Sequence, residues 1–227
     1  MGAAVSIADR LAAIRAELPA GVTLVAVSKT QPPEAIREAY AAGQRDFGEN
    51  YAQEWRAKAD ALADLPGLRW HFIGGLQTNK AKYLAGRVAL VHAVDREELA
   101  AELSRRFGQK GATARVLLEV NVGGEASKEG CPPDRVEALA AAVRALPSVE
   151  LAGLMCIPPP ADDPRPHFRA LRALRDRLGL RELSMGMSAD WRIAVEEGAT
   201  LVRVGSAIFG ARPPHGARGG AGPATAT

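Results

Sequence analysis

Lys29 ends the apolar run in "VTLVAVSKTQPPEAI" (22–36), just before a pair of prolines. A lysine surfacing at such a point ordinarily snorkels its ammonium into water. Held in an apolar cavity, the charged form is disfavoured, and the neutral amine becomes a nucleophile toward aldehydes. Schiff-base formation is the chemistry this placement suggests. Far along the chain, "SMGMSADWRIAVEEG" (184–198) carries Ser184 and Ser188 around Gly186, and "RVGSAIFG" (203–210) carries Arg203, Gly205 and Ser206. Ser188 is expected to cap the helix after it, whose unpaired N-terminal N–H groups would attract an anion. Either segment alone reads equally well as a simple cap or turn; opposite a lysine, the two together suggest a phosphate cradle.

An amine facing a phosphate cradle fits two ligand classes, the sugar phosphates of Schiff-base aldolases and pyridoxal 5′-phosphate. Arg203 stands two residues before Gly205, so alternation puts both on one face of a strand. A guanidinium aimed at a pyridine nitrogen would keep that nitrogen unprotonated and the ring a weak electron sink. The same arginine could instead pair with a barrel carboxylate such as Glu119.

These residues need elements that bring positions 29, 50, 188 and 206 to one place. Strand patterns occur at 23–28, 46–50, 69–75, 89–94, 114–122, 149–157, 182–186 and 201–206. Helical patterns such as "PPEAIREAYAAG", "REELAAELSRRFGQKG" and "HFRALRALRDRLG" separate them. Strands alternating with crossover helices pair in parallel. Eight such units in 227 residues indicate a (β/α)8 TIM barrel of the α/β class, with an extra N-terminal helix. A doubly wound sheet needs fewer strands and usually a glycine-rich first turn, which "SKTQPPE" is not. Barrel chemistry gathers at the carboxyl ends of the strands, where Lys29, Asn50, Ser184, Ser188, Arg203, Gly205 and Ser206 all fall. The expected barrel domain is 1–212, and the Gly-, Pro- and Ala-rich residues 213–227 are expected to be a disordered tail. Segment 121–130 reads as a mobile rim loop with Lys128 solvated.

Composition excludes other roles. Basic residues number 29 and acidic residues 26, interspersed rather than clustered, which argues against nucleic acid. Cys131 and Cys156 fit no disulfide or metal spacing. His71, His92, His167 and His215 form no zinc-binding pattern, so no metal is expected. No apolar run approaches the roughly 20 residues that span a bilayer, so no membrane partner is expected. Gly2 and Ser6 formally match a myristoylation pattern, but a first helix packed on the domain is the plainer reading. A cytoplasmic monomer is expected.

The stretches "LVAVSKTQP", "FGENYAQE", "WHFIGGLQTNK", "VNVGGEASKEG", "GLMCIPP", "SMGMSADW" and "VRVGSAIFGAR" occur in this order at successive strand ends. Over about residues 7 to 212 the chain resembles the pyridoxal phosphate homeostasis proteins, single-domain barrel relatives of alanine racemase. The resemblance implies pyridoxal 5′-phosphate held on Lys29 as an internal aldimine. It implies a phosphate held by Ser188, Gly205 and Ser206 with Ser184 nearby, Arg203 facing the pyridine nitrogen, and Asn50 close to the ring. Ser206 stands where relatives often carry threonine, which retains the hydroxyl. It further implies a role in cofactor homeostasis and delivery to apo-enzymes. Alanine racemase draws an opposing tyrosine from a second domain, and nothing globular is expected here after Gly210. Of Tyr40, Tyr51 and Tyr83, only Tyr51 could reach the barrel mouth. A non-catalytic carrier is therefore expected, with a weak amino-acid racemase as the alternative.

Overall fold

The computed structural model describes residues 5–124, 129–160 and 163–210. The expected tail at 213–227, Gly2 and Lys128 lie outside them. Eight strands form a closed parallel barrel in chain order: β1 (Thr23–Val27), β2 (Asp46–Glu49), β3 (Arg69–Phe72), β4 (Leu90–Val94), β5 (Ala114–Glu119), β6 (Val149–Met155), β7 (Glu182–Ser184) and β8 (Leu201–Val204). Closure comes from β1 against β8, with Thr23 opposite Leu201 and Val25 opposite Arg203. Nine α-helices are described: α1 (Ile7–Glu17), α2 (Pro33–Ala41), α3 (Ala52–Ala61), α4 (Ala81–Leu84), α5 (Glu97–Gly108), α6 (Val136–Arg144), α7 (Pro164–Arg177), α8 (Trp191–Glu196) and α9 (Ser206–Phe209). Each expected strand is present. All but β4 stop short of the pattern's carboxyl end, because the last residues leave the ladder to build the mouth loops.

Local chemistry sets the helix starts. Ser6 caps α1 in a reciprocal box with Asp9, and this accounts for the serine that matched the lipidation pattern. Pro33 opens α2 at a position that needs no N–H. Asp163 caps α7 through the Arg165 N–H, so that helix begins at Pro164, three residues before the stretch that reads as helical from His167.

The core has two layers. Val25, Leu90, Leu117, Met155 and Leu201 fill the barrel interior. A larger shell between strands and helices buries Phe47, Trp55, Phe72, Phe107 and Phe168. Each buried phenylalanine contributes roughly 2 kcal/mol of transfer free energy. Among the described residues, no helix is long and apolar enough to cross a membrane.

Candidate functional site

The loops at the carboxyl end converge on a cavity of 290 Å³. Lys29, from the turn after β1, lines it together with Asn50 from the turn after β2. Ser188, Gly205 and Ser206 line it from the loops after β7 and β8, and Arg203 rises from β8. Val27, Ile73, Ile157 and Met187 give it apolar walls. Six of the seven site residues read from the sequence therefore meet at one cavity.

Ser184 is the exception. It is fully buried beneath the cavity, where its Oγ lies 2.8 Å from His92 Nδ1 and accepts a 2.6 Å hydrogen bond from Arg203 Nη1. It touches Arg203, which lines the cavity, rather than the cavity itself. Ser188 also differs from expectation, because it does not cap α8. That position belongs to Asp190, whose carboxylate accepts from the Met187 N–H. The Ser188 Oγ accepts from the Gly205 N–H at 3.2 Å and so ties the loops after β7 and β8 together. The fold permits this because Gly186 has φ +88°, and a Cβ there would lie 2.5 Å from the Ala194 Cβ.

Arg203 does not pair with Glu119. Its guanidinium gives Nη1 to Ser184 and Nη2 to the Cys156 carbonyl at 2.9 Å. Burial pulls its pKa below the ordinary arginine range. Glu119, at the top of β5, is pushed up to about 7, first by burial and then by Glu129 and Asp95, with Arg203 opposing. Asn50 is pinned from behind: a Cβ on Gly74 would lie 2.5 Å from the Asn50 carbonyl oxygen, so only glycine allows that approach. The Asn50 Oδ1 is buried and has no protein partner. Tyr51 is 57% exposed and lines a neighbouring hollow with Lys80, away from Lys29.

The turn that carries Lys29 is held by groups the sequence does not announce. Thr30 has φ +64°, a left-handed backbone rare for a β-branched residue. Its N–H donates to Glu54 at 2.5 Å. On the other side of Lys29, the Ser28 carbonyl accepts from Lys58 at 2.6 Å, and the Ser28 hydroxyl donates to Glu49 at 2.7 Å. Lys58 bridges both carboxylates, to Glu49 at 2.7 Å and Glu54 at 2.6 Å. Burial drives the Glu49 carboxyl up, against the pull of Lys58 and Ser28. The signal that could have revealed Lys58 is its place on the buried stripe Trp55, Lys58 and Ala59 of α3. His71 and His92, scattered in sequence, stand 2.9 Å apart inside the barrel.

The family described as alanine racemase, N-terminal domain, matches residues 4–213. A pyridoxal phosphate homeostasis protein of Pseudomonas aeruginosa is 52% identical over 199 residues, covering 86% of each chain. One from Aquifex aeolicus is 50% identical over 198 residues, covering 83% of this chain and 86% of the relative. The structure of PipY from Synechococcus elongatus PCC7942 with PLP bound superposes with a TM-score of 0.85 at 42% identity, covering 90% of this chain and all of PipY.

Proposed function

Because the chain belongs to the alanine racemase N-terminal domain family and, within it, to the pyridoxal phosphate homeostasis proteins, we propose that it holds pyridoxal 5′-phosphate at Lys29 and takes part in keeping and handing on that cofactor. The observation that carries this reading is the shared cavity, with the Lys29 amine facing the Ser188, Gly205 and Ser206 loops between apolar walls. The residues present fit the cofactor. Asn50 Oδ1 is a buried acceptor with no protein partner, as a ligand-binding group is before its ligand arrives. When bound, the cofactor supplies an aldehyde that a neutral amine can capture with loss of water. Lys29 would supply the amine, Ser188 and Ser206 would hold the anionic end, and the apolar walls from Val27 and Ile157 would exclude water. Arg203, which also lines the cavity, would face the cofactor as a fixed cation too basic to pass a proton on.

The same inventory supports a carrier rather than a racemase. Racemisation needs an acid or base on each face of the substrate. Of the side chains lining the cavity, Lys29 is the one suited to proton exchange. We place the protein in the cytoplasm as a monomer that passes its cofactor to apo-enzymes.

The visible absorption spectrum tests the cofactor reading. Wild-type protein mixed with pyridoxal phosphate should show a band that borohydride bleaches, and Lys29→Ala should lack it. A band that persists unchanged in the variant would remove Lys29 from the chemistry. Solvent deuterium appearing at the α-carbon of added amino acids at a useful rate would favour the racemase.

A further inference from the structure

A string of polar side chains crosses the barrel interior beneath the cavity. Arg203 Nη1 and Ser184 Oγ are 2.6 Å apart, Ser184 Oγ and His92 Nδ1 2.8 Å, His92 Nε2 and His71 Nδ1 2.9 Å, and His71 Nε2 and Asp46 Oδ1 2.9 Å. Asp46 is in turn bound by Arg69 at the opposite end of the barrel. All five members from Arg203 to Asp46 are buried, and they come from β8, β7, β4, β3 and β2.

One set of protons satisfies every link with both imidazoles neutral. Arginine only donates, so Ser184 Oγ accepts from Arg203, and in this set it donates its own proton to His92 Nδ1. His92 then carries its single proton on Nε2 and gives it to His71 Nδ1. His71 likewise carries its proton on Nε2 and gives it to the Asp46 carboxylate. Both imidazoles are neutral in this arrangement, and burial does hold the His92 pKa well below its ordinary value. Every bond points the same way, from a guanidinium at the cavity to a carboxylate at the far end. Bonds in such a string polarise one another and so strengthen together.

We propose that Asp46, His71 and His92 are positioning residues of the Lys29 cavity, acting on Arg203 through Ser184 as one directional hydrogen-bond chain. Arg203 has a competing attraction, the Glu119 carboxyl, whose charge it feels. The chain and the Cys156 carbonyl keep the guanidinium at the cavity instead. The chain's effect on cofactor rests on the function proposed above, whereas its effect on Arg203 does not.

Nitrogen-15 NMR of histidine and arginine side chains in the full-length protein, without cofactor, reads the chain directly. Both His71 and His92 are expected as neutral Nε2–H tautomers, and Arg203 is expected to show slowly exchanging Nη protons. His92→Leu should lose those Arg203 signals. His92→Asn should keep them, because its Oδ1 can accept from Ser184 where Nδ1 did. An Nδ1–H tautomer at either histidine, or unchanged Arg203 signals in His92→Leu, would overturn the proposal. With pyridoxal phosphate added, His92→Leu should bind about tenfold more weakly with a displaced absorption band, and His92→Asn within about threefold of wild type. Equal affinity and band in both variants, alongside lowered melting temperatures, would mean that the chain only supports the fold. Wild-type protein that binds no pyridoxal phosphate would refute the functional reading, and the NMR result would still decide the chain.

Discussion

Glu119 is a carboxyl that the barrel keeps at a cost. Burial raises its pKa from 4.5 to about 7, with Glu129 and Asp95 adding and Arg203 opposing. A raised acid retains its proton in the folded state, so the native protein binds more protons than the unfolded chain between these values. Stability therefore falls as pH rises from about 4.5 to 7, and the cost is complete above that range. A shift of this size corresponds to at most about 3 kcal/mol. Glu119→Gln is expected to be more stable than wild type by on the order of 2–3 kcal/mol at pH 8, with most of the gain gone at pH 5. Urea melts at the two pH values measure it, and equal gains at both would mean that Glu119 is solvated. At this scale the sequence was informative where a residue's place follows from its position at a strand end, as for Lys29, Arg203 and Ser206, which line one cavity. It was silent where the role depends on a partner far away in sequence, as for His71 and His92, 21 residues apart. Ser184 lies beneath the cavity rather than at it, and a three-residue strand gives too little alternation to separate the two positions in the sequence.

The turn after β1 depends on α3, an element that contributes no residue to the cavity around Lys29. Lys58 sits 5% exposed between Glu49 and Glu54, and those carboxylates hold Ser28 and Thr30 on either side of Lys29. Removing one member of a buried ion cluster leaves an uncompensated charge, which costs roughly 3–5 kcal/mol. Lys58→Met should therefore destabilise the protein by about that amount near neutral pH. The double variant Glu49→Gln/Lys58→Met removes the stranded charge, so it should recover at least half of the loss. Denaturant melts of the three proteins decide this, and a single-variant loss below about 1 kcal/mol would class the cluster with surface pairs. Strand and helix identities were readable because periods of 2 and 3.6 are local properties. The ends were not: β5 stops at Glu119 instead of running to 122, because Val120 leaves the ladder to bridge Cys131. Ser188 likewise looked like a cap for α8, when Asp190 holds that place.

On the scale of the whole molecule, the order and closure of the barrel were recoverable from eight repeated units, because right-handed parallel crossovers leave little other topology. The cavity belongs to this scale, since its lining comes from loops after β1, β2, β3, β6, β7 and β8. A ligand held by so many loops can bind only when the barrel is folded, so binding must appear as global stability. At a free pyridoxal phosphate concentration 100 times its dissociation constant, the gain is about 2.7 kcal/mol. For a chain of this size, that raises the melting temperature by about 5–10 °C. Each further tenfold of ligand adds about 1.4 kcal/mol, or about 3–5 °C. The loops proposed to hold the phosphate are separate from the amine, so Lys29→Ala should still respond, with the same slope per decade but displaced to higher ligand concentration. Thermal melts across a ligand series separate the contributions. Coincident curves for wild type and variant would mean that Lys29 adds nothing to affinity. A variant with no response at any concentration would mean that the Ser188 and Ser206 loops cannot hold the phosphate without the covalent link.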